Sequence, residues 1–237
     1  MTDGRCAGAA LGGETALMDG YQAQDHTTPD GKARLGAGLA PYGAIVVNRD
    51  GRRLANEDAG RSEFAPSVLA HPGRMAAEIF DRRIHALAPR MSSYRQAVAN
   101  GAVREAASFA ALAAQFGLPD AAQAETLATY HASVDGVADP FGCRNGLHLL
   151  KLSFSAASVT RALAPTQGDL LVDTAAKVQR AGGGVIPGLV AAEGSACGIS
   201  GHGAAGYLPG NGLGQAFALS FVAGETIALS RRPAQIA

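Results

Sequence analysis

The stretch Ile186-Pro187-Gly188-Leu189-Val190-Ala191-Ala192-Glu193-Gly194, continued by Gly203-Ala204-Ala205-Gly206-Tyr207-Leu208-Pro209-Gly210-Asn211-Gly212-Leu213, decides how this sequence folds. An apolar strand pattern leads into it, and an apolar helical run to about Ile227 leads out. Glycine stands at 182, 183, 184, 188, 194, 198, 201, 203, 206, 210, 212 and 214, which is 12 of the 31 in the chain. These glycines alternate with Val185, Ile186, Leu189, Val190, Ile199 and Leu208. A flexible linker would pair glycine with serine and charge instead. The pattern therefore predicts a backbone bent inside packed structure, with positive φ or with the main chain lying against a ligand.

Composition narrows the function classes. Lys+Arg 20 against Asp+Glu 20 gives no net charge, which excludes an electrostatic footprint for nucleic acid or an anionic membrane face. At 47% apolar the chain has the means to build a core. Cys6, Cys143 and Cys197 are too scattered for a disulfide framework, and the six histidines show no metal-ligand spacing, so no metal is expected. The N-terminus shows no secretory pattern. The apolar run Ala216–Leu229 is interrupted by Gly224 and Glu225 and reads as too short for a bilayer. The expected compartment is the cytoplasm.

Three zones follow. Residues 1–42 carry little pattern. In 43–150, Ala44–Val47 and Ala77–Phe80 read as strands. Ser108 caps a helix over Phe109–Phe116, which Gly117-Leu118-Pro119 stops; a second helix runs from Asp120 to about Val134. Leu112, Phe116, Leu127, Tyr130 and Val134 would form a small helical-hairpin core, and Asp139–Gly142 a closing turn. In 151–237, Leu170–Asp173 and Ala176–Gln179 read as strands, Val185–Ala192 as a buried strand, and about Gly212 to Ile227 as a helix.

Gly201-His202-Gly203-Ala204-Ala205-Gly206 matches G-x-G-x-x-G, but no strand precedes it and Glu225 falls inside a helical run, so a dinucleotide fingerprint is rejected. Gly198-Ile199-Ser200-Gly201-His202 is not a nucleophile elbow, and Ser200 reads as a loop hydroxyl.

Together with Thr166-Gln167-Gly168 and Val172-Asp173 ("TxGG…VD"), and with Val47-Asn48-Arg49-Asp50-Gly51-Arg52-Arg53-Leu54-Ala55-Asn56-Glu57 ("VNxxGxRFxNE"), the opening stretch resembles the fumarate reductase/succinate dehydrogenase flavoprotein superfamily. That superfamily includes the 3-ketosteroid dehydrogenases. The resemblance corresponds to the second half of such a flavoprotein. It implies an incomplete FAD-binding α/β domain with an inserted mixed α/β capping domain: 1–42 and 151–237 from the FAD domain, 43–150 the cap.

The resemblance also implies site roles. Glu193, Gly194, Gly206, Gly210, Asn211, Gly212 and Leu213 would bind FAD, with Glu193 on ribose or ribityl hydroxyls and the helix opened by Asn211-Gly212-Leu213 aimed at the flavin. Arg61, in Asn56-Glu57-Asp58-Ala59-Gly60-Arg61, would deliver a proton to substrate. His26 falls near another substrate-facing histidine of fumarate reductases. Two dicarboxylate clamps of the family are replaced here, a histidine by Pro165 and an arginine by Tyr207. Tyr207-Leu208-Pro209-Gly210 is similar to the segment by which ketosteroid dehydrogenases polarise a ketone. Ala192 and Asp169 stand where the family has glycine.

The expected function is FAD-dependent hydride transfer between flavin and a C–C bond next to a carbonyl, on a small carbonyl-bearing substrate. The alternative is a non-catalytic truncated or split-gene fragment that needs a separate chain to supply the nucleotide-binding half.

Overall fold

The computed structural model describes residues 3–35, 39–144 and 146–231. In chain order the elements are α1 (Asp3–Ala10), β1 (Thr15–Ala16), β2 (Tyr21–Thr27), β3 (Ile45–Val47), α2 (Arg61–Ala70), β4 (Met75–Asp81), α3 (Arg82–Leu87), α4 (Ser92–Ala99), β5 (Val103–Ala106), α5 (Phe109–Phe116), α6 (Asp120–Val134), β6 (Phe154–Thr166), β7 (Asp169–Leu170), β8 (Lys177–Gln179), β9 (Val185–Val190) and α7 (Asn211–Ser230). They fall into two compact units. One is 1–22 with 163–237, and the other is 23–162. The cuts lie outside the zone boundaries at 42 and 150. The reason is local: β2 and β6 extend the sheet of the second unit in the order β2-β6-β4-β3, with β5 also on β6.

The β3–β4, β4–β6 and β5–β6 pairings are antiparallel. β3 meets β4 with Ile45 opposite Ile79, and β4 meets β6 with Ile79 opposite Ala156. Both predicted strands of the zone are therefore present. Its helices also start and stop where the sequence predicts. The Ser108 hydroxyl accepts from the Ala111 amide at 3.1 Å, and Gly117 takes φ +64 at the end of α5. Leu112 and Tyr130 are buried, but the helix pair does not form a core of its own. Both join one cluster with Ile45, Val47, Ile79, Phe80, Phe154 and Val159, because α5 and α6 lay their apolar sides against the sheet's cluster.

One ion cluster fastens the loop after β3. Arg53, its side chain 4% exposed, donates to Glu57 at 3.0 Å and to Asp139, and its guanidinium stacks 5.4 Å from the Tyr130 ring and 5.1 Å from the Phe141 ring. Asp139 also accepts from the amides of Phe141 (2.9 Å) and Cys143 (3.1 Å). Burial works to raise the Asp139 pKa, but the Arg53 contact and those two amides outweigh it and hold the carboxyl below its usual range. Beside this cluster, burial and then the Asp58 contact push the Cys143 thiol up to about 12, which favours the protonated form.

In the first unit β1 pairs β7 and β8 pairs β9, both antiparallel, with a parallel bridge from Leu170 to Ala196. Two expectations change here. The strand at 185 is not buried: β9 pairs only with β8 among the described residues, and Ile186 alone of its residues is fully enclosed. The apolar helix is longer than expected, with 20 residues from Asn211 to Ser230, a mean hydropathy of 1.3, and a length and composition sufficient to cross a membrane. Gly224 and Glu225 do not break it, since one glycine costs a helix only about 1 kcal/mol.

Replacing Arg53 with alanine strands two buried carboxylates. We expect Arg53→Ala to cost about 3–5 kcal/mol at neutral pH, measured by urea unfolding. Because Asp139 is held below its unfolded pKa, its contribution is complete above about pH 4 and is lost as pH falls through the folded value. The gap between wild type and variant therefore narrows in acid. A gap that stays constant from neutral pH down to about pH 3 would show the cluster to be packing alone.

Candidate functional site

The glycine loop is a turn that closes on itself. Gly201 N–H donates to the Gly206 carbonyl at 2.7 Å, and Gly206 N–H to the His202 carbonyl at 3.1 Å. A Cβ on Gly206 would lie 2.5 Å from both the amide nitrogen and the carbonyl oxygen of His202. Its glycine is thus required by backbone against backbone, and Gly206 does not line the cavity described below. Rejection of a dinucleotide fingerprint holds, since no strand–turn–helix unit is formed here.

Beneath the loop lies a buried amide network. Asn211, the first residue of α7, donates from Nδ2 to Gln167 Oε1 at 2.9 Å and to Ser200 Oγ. Ser200 in turn accepts from the Leu208 amide at 2.9 Å, as a loop hydroxyl should. The main chain of Gln167 is itself paired on both sides, donating to Gly20 and accepting from Gly198 at 2.7 Å. Asn211 Oδ1 is buried without a hydrogen-bond partner. Gly210 takes φ +83, which lets the chain turn abruptly into the helix.

These contacts frame a cavity of about 460 Å³. Tyr207, Glu193, Gly194, Gly210, Gly212 and Leu213 line it, with Gln22, Thr166, Gln167, Asp169, Gly198 and Gln215. Five of the seven expected cofactor residues thus line one cavity, with Asn211 buried at the start of the same helix and Gly206 in the loop. A Cβ on Gly194, Gly210 or Gly212 would meet no protein atom within 4 Å, so all three leave open space. Glu193 holds φ +55, an uncommon region for a residue with a side chain, and is exposed at the cavity wall. The Tyr207 hydroxyl has no partner among the described residues.

The lining contains two carboxylates, Asp169 and Glu193, and no Lys, Arg or His. Glycine at 168 is obligatory, because a Cβ there would press on the backbone of Leu17 and Met18. The sequence gives no site role to Gln167 or Gln215, although Gln167 sits within the quoted Thr166-Gln167-Gly168 motif. A buried amide at the foot of a glycine-opened helix has no sequence signature beyond that proximity.

Arg61 and His26 belong to the second unit. Arg61 opens α2, and its side chain lies outside what the structure describes. His26 on β2 is buried, with Nδ1 at 2.8 Å from Glu78 Oε2 on β4.

Residues 7–213 match the FAD binding domain family. The chain belongs to that family. Its relatives include a cytochrome-type fumarate reductase of Shewanella frigidimarina, 30% identical over 228 residues, which cover 95% of this chain and 39% of that protein. An NADH:acrylate oxidoreductase of Vibrio harveyi is also 30% identical, over 94% of this chain and 22% of that protein. The chain thus spans about two fifths or less of the length of these relatives. The open conformation of a flavocytochrome c3 fumarate reductase shares the fold, with a TM-score of 0.73, 24% identity, and coverage of 96% of this chain and 40% of the other. A 3-ketosteroid Δ1-dehydrogenase from Sterolibacterium denitrificans does too, with a TM-score of 0.70, 21% identity, and coverage of 97% and 47%. The cofactor of the family is FAD.

The cavity fits a flavin. Its floor is glycine with open space above, as a flat ring requires. The first amides of a 20-residue helix enter it, and they favour negative charge that develops on a ring.

The glycines separate by substitution. Gly206→Ala should lower stability by about 1–3 kcal/mol through overpacking. Gly212→Ala, in the first turn of α7, should leave it unchanged or raise it by up to about 1 kcal/mol. Thermal unfolding of both variants checks this, and the reverse order would overturn the assignment of Gly206 to structure and Gly212 to the cavity.

Proposed function

We propose that this chain is the substrate-facing half of an FAD-dependent oxidoreductase, transferring a hydride between flavin and a C–C bond next to a carbonyl. The observation that carries this reading is the glycine-floored cavity at the N-terminus of α7, with a partnerless Tyr207 hydroxyl in its wall. When bound, FAD accepts or supplies the hydride. The chain's own residues do the rest. Gly212 and Leu213 present backbone amides, Glu193 accepts from cofactor hydroxyls, and Tyr207 donates a hydrogen bond to the substrate carbonyl. The Gly210 amide, which donates to no described group, is a second candidate donor to that oxygen. Arg61 is the proton donor by its position in the Asn-Glu segment; His26 follows as a second substrate group from the family resemblance alone, since its ring is buried beside Glu78.

The charge of the cavity supports a neutral carbonyl compound over a dicarboxylate. Asp169 and Glu193 would repel a dianion, and no described cation in the lining offsets them. A phenol in place of a guanidinium at 207 acts in the same direction.

The chain is also half of a surface. Leu213, Phe217 and Phe221 recur at helical i, i+4, i+8 spacing and are 74%, 76% and 68% exposed. The other side of α7 is packed: Leu219 rests on the core around Leu170 and Val178, and Gln215 and Thr226 donate to the carbonyls of Cys197 (2.6 Å) and Ala175 (2.7 Å). An aromatic stripe of this kind marks a contact. We assign it to the nucleotide-binding half that these 237 residues lack, carried by a separate chain or by further residues of the same polypeptide. The alternative is a non-catalytic truncated or split-gene fragment that needs a separate nucleotide-binding half.

Two variants test the reading. In the complete assembly, Tyr207→Phe should lower kcat about 10²–10³-fold on a ketone-bearing substrate while sparing FAD affinity. Equal loss of both would make Tyr207 structural. Phe217→Glu combined with Phe221→Glu should abolish co-purification with a co-expressed nucleotide-binding half and leave the chain soluble. Undiminished association would exclude the α7 face as the contact, and wild-type recovery in the membrane fraction would assign α7 to lipid instead.

A further inference from the structure

A second cavity, of about 660 Å³, lies wholly within the 23–162 unit. It is lined by Asp81, Arg82, Arg83, Ala86, Val134, His148, Leu149, Lys151 and Leu152. No residue proposed for the flavin reaction takes part in it.

Its charge is unbalanced. Asp81 is the sole acidic member and is fully committed: Oδ1 accepts the Ile84 amide at 3.0 Å, Oδ2 accepts the Lys151 amide at 3.3 Å, and only 3% of the residue is exposed. Arg82 and Lys151 come from segments held together by the backbone, since the Arg82 amide also donates to the Ser153 carbonyl at 2.9 Å. Neither has a side-chain partner among the described residues. Arg83 spends one nitrogen on the Tyr42 carbonyl and keeps its charge. Three cations against one carboxylate leave a surplus of two positive charges in one concavity of a chain whose net charge is zero. Elsewhere in the described unit, ion pairs answer Arg53 through Glu57 and Asp139 and Arg52 through Glu125, whereas here three cations share one cavity.

The walls are apolar. Val134, Ala86, Leu149 and Leu152, with His148, complete the lining, and Leu152 is 69% exposed. Cations with free donors suit a carboxylate or phosphate, and a guanidinium can hold either by two parallel hydrogen bonds. Apolar walls suit a non-polar body attached to that head. The volume lies in the range of small-molecule sites.

We propose that this cavity binds a small amphiphilic anion, an apolar body carrying a carboxylate or phosphate head, with Arg82 and Lys151 holding the head and Leu149 and Leu152 the body. The site is separate from the flavin cavity and stands whether or not the flavin reading does.

Octanoate and inorganic phosphate serve as probes, titrated into the purified 237-residue chain by calorimetry at low salt. Octanoate should bind saturably at one site per chain, and more tightly than inorganic phosphate. Arg82→Glu with Lys151→Glu should weaken it at least about tenfold, and raised salt should weaken it too. Leu152→Ser should weaken octanoate while leaving phosphate unchanged. These side chains are exposed, so the fold should survive, and the milder Lys151→Gln should give the same direction with a smaller change. Absence of saturable binding by the wild type would overturn the proposal. So would affinity that ignores the charge variants, or that is lost with Phe217→Ser on α7 instead.

Discussion

The Asn211 side-chain amide is the contact on which the candidate site depends. Its two donor hydrogens tie the first residue of α7 to Gln167 and to Ser200, and each of those is fixed in turn by main-chain bonds to Gly20, Gly198 and Leu208. A helix end buried in this way needs defined partners, since unpaired polar groups away from water are costly. The consequence is geometric. The free amides of α7 and the three open glycines are held toward the same space, so the cavity exists before any ligand enters.

The chemistry follows from what surrounds that helix end. An acidic lining without a described cation is a poor receptor for a dianion, and a phenol is a neutral donor. Both point toward a carbonyl. The proposed preference for a carbonyl rests on two features: the replaced clamps at 165 and 207, and the charge of the whole wall. Asp169 connects the two, because it replaces a small residue and brings one of the two carboxylates.

Legibility in the sequence divided along physical lines. The elements of the 23–162 unit could be read because their signals are local: Ser108 at a cap, Gly117 at a stop, a short apolar run ending in a turn at β3. Most of the cofactor residues could be placed because a backbone cradle depends on glycine, and glycine leaves a visible pattern. What could not be read was partnership. Nothing local tells that, among the described residues, Val185–Val190 pairs with one strand alone and Arg82 and Lys151 have no side-chain partner, that Phe217 and Phe221 face outward, that Asp81 is spent on two amides, or that Gly206 serves its own turn. Each of these depends on residues distant in sequence.

The central claim is that the α7 cavity is the flavin half-site of a larger assembly. The most direct measurement is the flavin content of the chain purified together with a nucleotide-binding half. The account predicts a yellow complex that releases about one FAD per copy of this chain, and loses that FAD when Asn211→Leu unties the helix end. A colourless complex that takes up no added FAD, although both parts are folded and associated, would contradict it.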